Sequence, residues 1–250
     1  MFDYINRITD SRKAFDVCRK LASDIQEDIL RAVAMKVLDD NEEIFLRVKG
    51  SDWQHHNYAG GLIVHICNVT LTAKAIAAFY EEKVNKDMVV FCALMHDVGK
   101  TFDYKEQEVF PNENNIAMNQ ALLGHSLEGV VYITDMLRKE YKERGIDEPK
   151  GYVDKVITQV SHCIGTHMDC FGVCAKQQMF EVMIIGCADK VDAYIEGTVV
   201  KDNGDSMVLG NGETFYKAVK FEERRHRGSG DEYYLNREFT NHESSIHWRG

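Results

Sequence analysis

From Ser11 to Leu38 the apolar residues Phe15, Val17, Leu21, Ile25, Ile29, Leu30, Val33 and Val37 recur mostly every three or four positions. That period places them on one face of an α-helix. The expectation is one long amphipathic helix, punctuated by Asp39-Asp40-Asn41. A less regular stretch from Glu43 to Ala59 leads to Gly60-Gly61, where a second helical pattern starts and runs to about Glu82. A third, very apolar helix is expected from Lys86 to about His96, closed by Gly99. Ala121 to Glu143, Tyr152 to His167 and Lys176 to Glu196 continue the pattern, giving six helices.

The segments between and after the helices have a different character. Thr101 to Gln120 is polar, contains Pro111 and several asparagines, and reads as a loop able to act as a flap. Beyond Gly197, β-prone residues surround Asn203-Gly204 and Asn211-Gly212, which predicts a short hairpin. Arg224 to Gly250 is charged and weakly periodic, as expected of a mobile tail. The fold class is therefore all-α with a small hairpin-like appendage. Residues 1–52 are expected to pack on the core, 53–197 to form the main domain and 198–250 to form the appendage.

Composition narrows the function. With 250 residues, 44% hydrophobic and 28% charged, the chain suffices for one substantial core, and two prolines suit long helices. A net charge of −10 argues against coating long duplex nucleic acid, where affinity comes from neutralising phosphates, but leaves room for a nucleotide. The seven cysteines are an odd number scattered through apolar runs, and read as reduced packing residues. Cys163, His167, Cys170 and Cys174 cluster without a second matched pair, which speaks against a zinc finger. Met1 to Lys20 lacks the apolar core of a signal peptide, and the apolar stretches, such as Met88 to Met95, look too short for a bilayer. The expected location is cytoplasmic, away from membranes, with homo-oligomerisation left open.

The strongest chemical signal is Ala93-Leu94-Met95-His96-Asp97-Val98-Gly99-Lys100. An imidazole and a carboxylate side by side after a buried helix are costly unless something pairs with them, and a divalent cation does so. His65 on the preceding helix and Asp189 on a late one can converge with this pair, as facing helices do in bundle metal sites. Lys100 is placed to neutralise a phosphate oxygen or to face water. Asp192, one turn beyond Asp189, either orients a ligand or faces solvent. His55, His56 and Tyr58 either contact a substrate base or sugar or pack the turn against the core.

These strings, His55-His56-Asn57-Tyr58-Ala59-Gly60-Gly61-Leu62-Ile63-Val64-His65, His96-Asp97-Val98-Gly99-Lys100, Gly124-His125-Ser126, Ser161-His162 and Ala188-Asp189, resemble the HD superfamily. They are closest to the HD domain of bacterial 3′-to-5′ exoribonucleases typified by YhaM. The resemblance spans roughly Trp53 to Gly197 and implies an HD helical bundle with His65, His96, Asp97 and Asp189 as core metal ligands. It further implies Asp97 as a bridge between two ions, and His125 and His162 as ligands of the second. His162-Cys163 stands where members of that branch often carry two histidines, so His167 rivals His162; five residues apart on a helix, both cannot readily face one ion unless the helix breaks at Gly165.

The implied activity is hydrolysis of a phosphoester of a nucleotide or short oligonucleotide by a metal-activated water, with two divalent ions (Mn, Fe, Mg, Ni or Co) as cofactors, Asp97 and Lys100 as catalytic groups, and His55, His56, Tyr58 and Lys100 at the substrate. The exoribonuclease branch normally carries an oligonucleotide-binding barrel before its HD domain, whereas Ser11 to Leu38 reads as helix here, which shifts the expectation toward small substrates. Two other uses of the same ligand set are a mixed-valent di-iron oxygenase and a nucleotide-sensing module without turnover.

Overall fold

The structure, a computed structural model, describes residues 7–51, 55–102, 123–146, 152–168 and 175–197. Among them the helices are α1 (Ser11–Ser23), α2 (Asp28–Asp40), α3 (Glu42–Phe45), α4 (Gly61–Phe79), α5 (Lys86–Met95), α6 (Gly124–Glu143), α7 (Tyr152–Thr166) and α8 (Phe180–Gly197). There is no strand among the described residues, so the fold is all-α. The expected hairpin and tail at 198–250 and most of the expected flap lie outside them.

The Ser11 to Leu38 pattern corresponds to two helices, not one. α1 starts on Asp10, whose side chain accepts from Lys13 N, and ends at Asp24; α2 starts on Glu27, whose carboxylate accepts from Leu30 N. The break is held from outside: Asp87 Oδ2, at the start of α5, accepts from Gln26 N at 3.0 Å and Glu27 N at 2.8 Å. Ile25, inside the break, is buried all the same. The apolar rhythm thus runs through a point where the backbone is not helical.

α4 is the centre of the bundle, packed against α1, α5 and α8. Leu62 to Thr70 are all buried, His65 and Asn68 among them. Asn68 is satisfied by the chain before α1, accepting from Ile8 N at 3.0 Å and donating to Ile8 O at 2.9 Å. With 19 residues and a mean hydropathy of 1.7 over an 18-residue stretch, α4 is long and apolar enough to cross a membrane by length and composition, contrary to the sequence expectation. Its neighbours cover the part from Gly61 to Thr70 as the core of a bundle. Long apolar runs arise from full burial as readily as from lipid.

α5 is buried along Met88–Met95 and delivers His96 as its C-cap, after which 96–99 form turns. α6 pairs with α7, and α8 crosses α4, α5 and α7. α8 buries Val182, Ile184, Ile185 and Ala188, yet its outer face exposes Phe180, Met183, Val191, Tyr194 and Ile195. Cys18, Cys67, Cys92 and Cys163 are free and buried, and Cys187 is free but exposed. Burial pushes the Cys18 and Cys92 thiols well up, against Cys67 and Cys163 respectively. Cys163 therefore belongs to the core.

Candidate metal centre

Five helices deliver side chains to one buried point. His65 comes from the first turns of α4, His96 and Asp97 from the end of α5, His125 from the start of α6, His167 from just beyond α7, and Asp189 from the middle of α8. His65 Nε2 lies 3.3 Å from His96 Nε2, 3.1 Å from Asp189 Oδ1 and 3.5 Å from Asp97 Oδ2. His96 Nε2 lies 3.5 Å from Asp97 Oδ2 and 3.9 Å from Asp189 Oδ1. The second oxygen of Asp97 faces the other way. Asp97 Oδ1 is 3.2 Å from His125 Nε2 and 3.7 Å from His167 Nε2.

The tautomers follow from acceptors that cannot donate. His96 Nδ1 donates to Ala93 O and His167 Nδ1 donates to Ile164 O, each at 2.7 Å. A carbonyl accepts only, so both protons sit on Nδ1. Burial lowers the pKa of His96, and lowers that of His167 to about 3, with His96 contributing. In both rings Nε2 therefore offers a bare electron pair to the cluster. His65 Nδ1 is 2.8 Å from Asp192 Oδ2, and a carboxylate likewise fixes the proton on that nitrogen. Burial opposes charge on His65, but hydrogen bonds with Asp189 and Asp192 outweigh it and raise its pKa to about 9. Asp97 and Asp189 are both held well below the ordinary carboxylate range: burial works against ionisation and is overcome at Asp97 by Lys100, His96 and His125, and at Asp189 chiefly by His65.

This is what a cation site requires. His65, His96 and Asp189 form one group and His96, Asp97 and His167 another, each with its donor atoms within 4.8 Å of one another. Two donors about 2.1 Å from one ion are themselves about 3 Å apart, the spacing seen between His65 and His96. Imidazole nitrogen with carboxylate oxygen suits Mn, Fe, Co, Ni or Zn. His56, His65 and Asp192 also lie within 4.8 Å, but there two imidazoles converge on one carboxylate oxygen, an arrangement that protons fill.

Several expected residues stand elsewhere. His162 is not at the cluster: its Nε2 accepts from Gln178 N at 3.0 Å, on another face of α7. Five residues turn a helix by about 140° beyond a full revolution, so only one of His162 and His167 can point inward. The one just past the helix end does. His56 is buried behind the cluster on Asp192, at 2.7 Å, and Tyr58 OH lies 3.0 Å from His56 Nδ1, so these two pack behind a ligand rather than facing a substrate. Asp192 is buried and does not face water. Lys100 is no free surface lysine either: Nζ donates to Asp97 Oδ2 at 2.6 Å and to Gly50 O at 2.8 Å. His55 is buried against His65, ring centroids 4.8 Å apart, with no hydrogen-bond partner at either nitrogen among the described residues. Burial, with His65 and Lys100 nearby, lowers its pKa to about 2. Gly99 matters beyond ending a helix: a Cβ there would fall 2.0 Å from His125 O, so glycine admits the start of α6 against the His-Asp turn.

Comparison with known proteins agrees with this geometry. The chain is 26% identical over 219 residues, 80% of its own length and 78% of the relative's, to a dihydroneopterin 2′,3′-cyclic phosphate phosphodiesterase from Methanocaldococcus jannaschii. It is 25% identical over 134 residues to the 3′-5′ exoribonuclease YhaM of Listeria welshimeri, and 28% over 118 residues to that of Listeria monocytogenes. Those two matches cover 54% and 46% of this chain but only 39% and 35% of the exoribonucleases. No solved structure matches. The family model described as HD domain matches residues 62–194, more than half of the chain and the stretch that carries the cluster from His65 to Asp192. The chain belongs to the HD domain family.

Proposed function

We propose that this protein is a metal-dependent phosphodiesterase acting on a small phosphodiester of a nucleotide or short oligonucleotide. The observation that carries the reading is the two-sided environment of Asp97, with His65 and His96 at one oxygen and His125 and His167 at the other. His65, His96, Asp97 and Asp189 would hold one ion, and Asp97, His125 and His167 a second. Divalent ions so held supply a water acidified toward neutrality and positive charge for the phosphoryl oxygens.

The chain's own residues then have distinct tasks. Lys100 uses two of its donors on Asp97 and Gly50 O, leaving its third for a non-bridging phosphate oxygen. His55, kept neutral, offers one donor and one acceptor beside the cluster, which matches a sugar hydroxyl. The relative aligned over 80% of the chain is named for a 2′,3′-cyclic phosphate, and the others for ribonuclease action, so a phosphodiester is common ground. The net charge of −10 gives little capture of a long polymer.

The test is initial rate with Mn²⁺ held constant on 2′,3′-cyclic nucleotides, a dinucleotide, a tetranucleotide and a long single strand, at low and moderate salt, with oxygen uptake followed in parallel. The expected outcome is hydrolysis of the small phosphodiesters, little salt dependence and no oxygen consumption. A steeply salt-dependent preference for the long strand, or substrate-dependent oxygen uptake without hydrolysis, contradicts it.

A further inference from the structure

His56 is held in a conformation that only a constraint explains. Its φ of +49° lies in the left-handed region, and it is the one non-glycine residue there among the described residues. A histidine pays for that conformation, and such outliers persist where surrounding structure needs them. The surroundings supply the constraint: Gly50 N and Tyr58 N both donate to His56 O, at 3.0 and 2.8 Å. A Cβ on Gly61 would fall 2.0 Å from that same oxygen, so the start of α4 is shaped to accept this backbone.

The constrained backbone places the ring on Asp192. His56 Nε2 and His65 Nδ1 lie 2.7 and 2.8 Å from the same oxygen, Asp192 Oδ2, and both must donate to it. The remaining nitrogen, Nδ1, is hydrogen-bonded to Tyr58 OH, 3.0 Å away, and Tyr58 is 38% exposed. From the other side Arg7 steadies the carboxylate, with Nε 3.9 Å from Asp192 Oδ1 and a hydrogen bond to Glu196. Two of these bonds have a fixed direction, since a carboxylate only accepts: His56 N–H to Asp192 and His65 N–H to Asp192.

We propose that His56, backed by Tyr58, is a positioning residue that fixes Asp192 and through it the metal-facing nitrogen of His65. It governs the ion held by His65, His96 and Asp189 and leaves the ion at His125 and His167 largely alone. The selectivity follows from connectivity. Asp192 touches His65, whereas His96 and His167 take their Nδ1 orientation from Ala93 O and Ile164 O. Loss of a partner behind a ligand generally weakens metal affinity about 10- to 100-fold. The inference rests on the two-ion reading above.

The experiment is a Co²⁺ titration of the full chain, followed by calorimetry and by the visible absorption of the bound ion. His167→Ala, retaining only the His65 ion, identifies which binding step belongs to which site. His56→Asn tolerates a positive φ but is too short to reach Asp192; His56→Gln restores a donor at nearly the same reach; Tyr58→Phe removes one hydroxyl only. Expected are about 10- to 100-fold weaker binding at the His65 step in His56→Asn with an altered spectrum, recovery of most of that loss in His56→Gln, a smaller loss in Tyr58→Phe, and an unchanged second step. Equal weakening of both steps, or no change in either, overturns the proposal. If His56→Asn does not fold, Tyr58→Phe decides by the same two criteria. A wild-type protein that takes up no Co²⁺ would sink the two-ion reading itself, a result distinct from any of these.

Discussion

Three histidines at the cluster are committed before any ion arrives: His65 by Asp192, His96 by Ala93 O and His167 by Ile164 O. Such tethers fix tautomer and ring direction, which spares a binding site the cost of ordering its ligands. His167→Ala should therefore remove one ion of two, while His162→Ala, which loses only a bond to Gln178 N, should keep both; metal content after dialysis reads the difference. Sequence alone led to His65, His96, Asp97, His125 and Asp189, which the structure gathers together, but left His162 and His167 as rivals. The choice depends on where α7 ends and how it is turned, and residue types do not carry that phase. The sign was present all the same, since His167 follows a helix end as His96 does, each bonded to the carbonyl three residues back. A pH effect follows from His65. Its pKa is raised from 6.5 to about 9, so in the ion-free protein its charged form adds stability that is complete below about pH 6.5 and lost as pH rises through 9. An ion must displace that proton, so its affinity should still climb between pH 7 and 9 instead of levelling near 6.5. Calorimetry in buffers of different ionisation enthalpy measures the proton released; none released at pH 7.5 would contradict this.

At the scale of elements, the instructive case is the break between α1 and α2. The apolar period continues across it because Ile25 takes its place in the core without being helical. A hydropathy pattern reports which side faces inward and is silent on whether the backbone stays wound. What breaks the helix is remote in sequence: Asp87 accepts from Gln26 N and Glu27 N, about sixty residues away. Asp87→Ala removes one exposed and one part-buried hydrogen bond, whose donors water can then reach, and should cost about 0.5–1.5 kcal/mol. Urea unfolding measures it, and a change below a few tenths of a kcal/mol would show that the break holds without Asp87. The boundaries of α5, by contrast, were legible, since Asn85 caps its start and the His-Asp turn closes it. α8 is the opposite case, apolar on its outer face as well as its inner one, so its amphipathic rhythm says little about its orientation.

Among the described residues one core, centred on α4, holds five helix segments so that four helix ends and the middle of α8 meet. Fold class was readable because burial of the first half of α4 and of most of α5 leaves long apolar runs and prolines are few. The depth of the site was not, because His65 and Asp97 look no different in sequence from exposed polar residues, yet they are almost wholly buried. Buried imidazoles and carboxylates at these spacings ask for cations, and Asp97 lies between two sets of donors. Anomalous diffraction from crystals of the metal-replete protein, with data at the absorption edge of the bound metal, tests this most directly. Two peaks are expected about 3.5–4 Å apart, one beside His65, His96 and Asp189 and the other beside His125 and His167, with Asp97 between them and both lost in Asp97→Ala while the helical fold is kept. A single peak, or two that persist without Asp97, would contradict it.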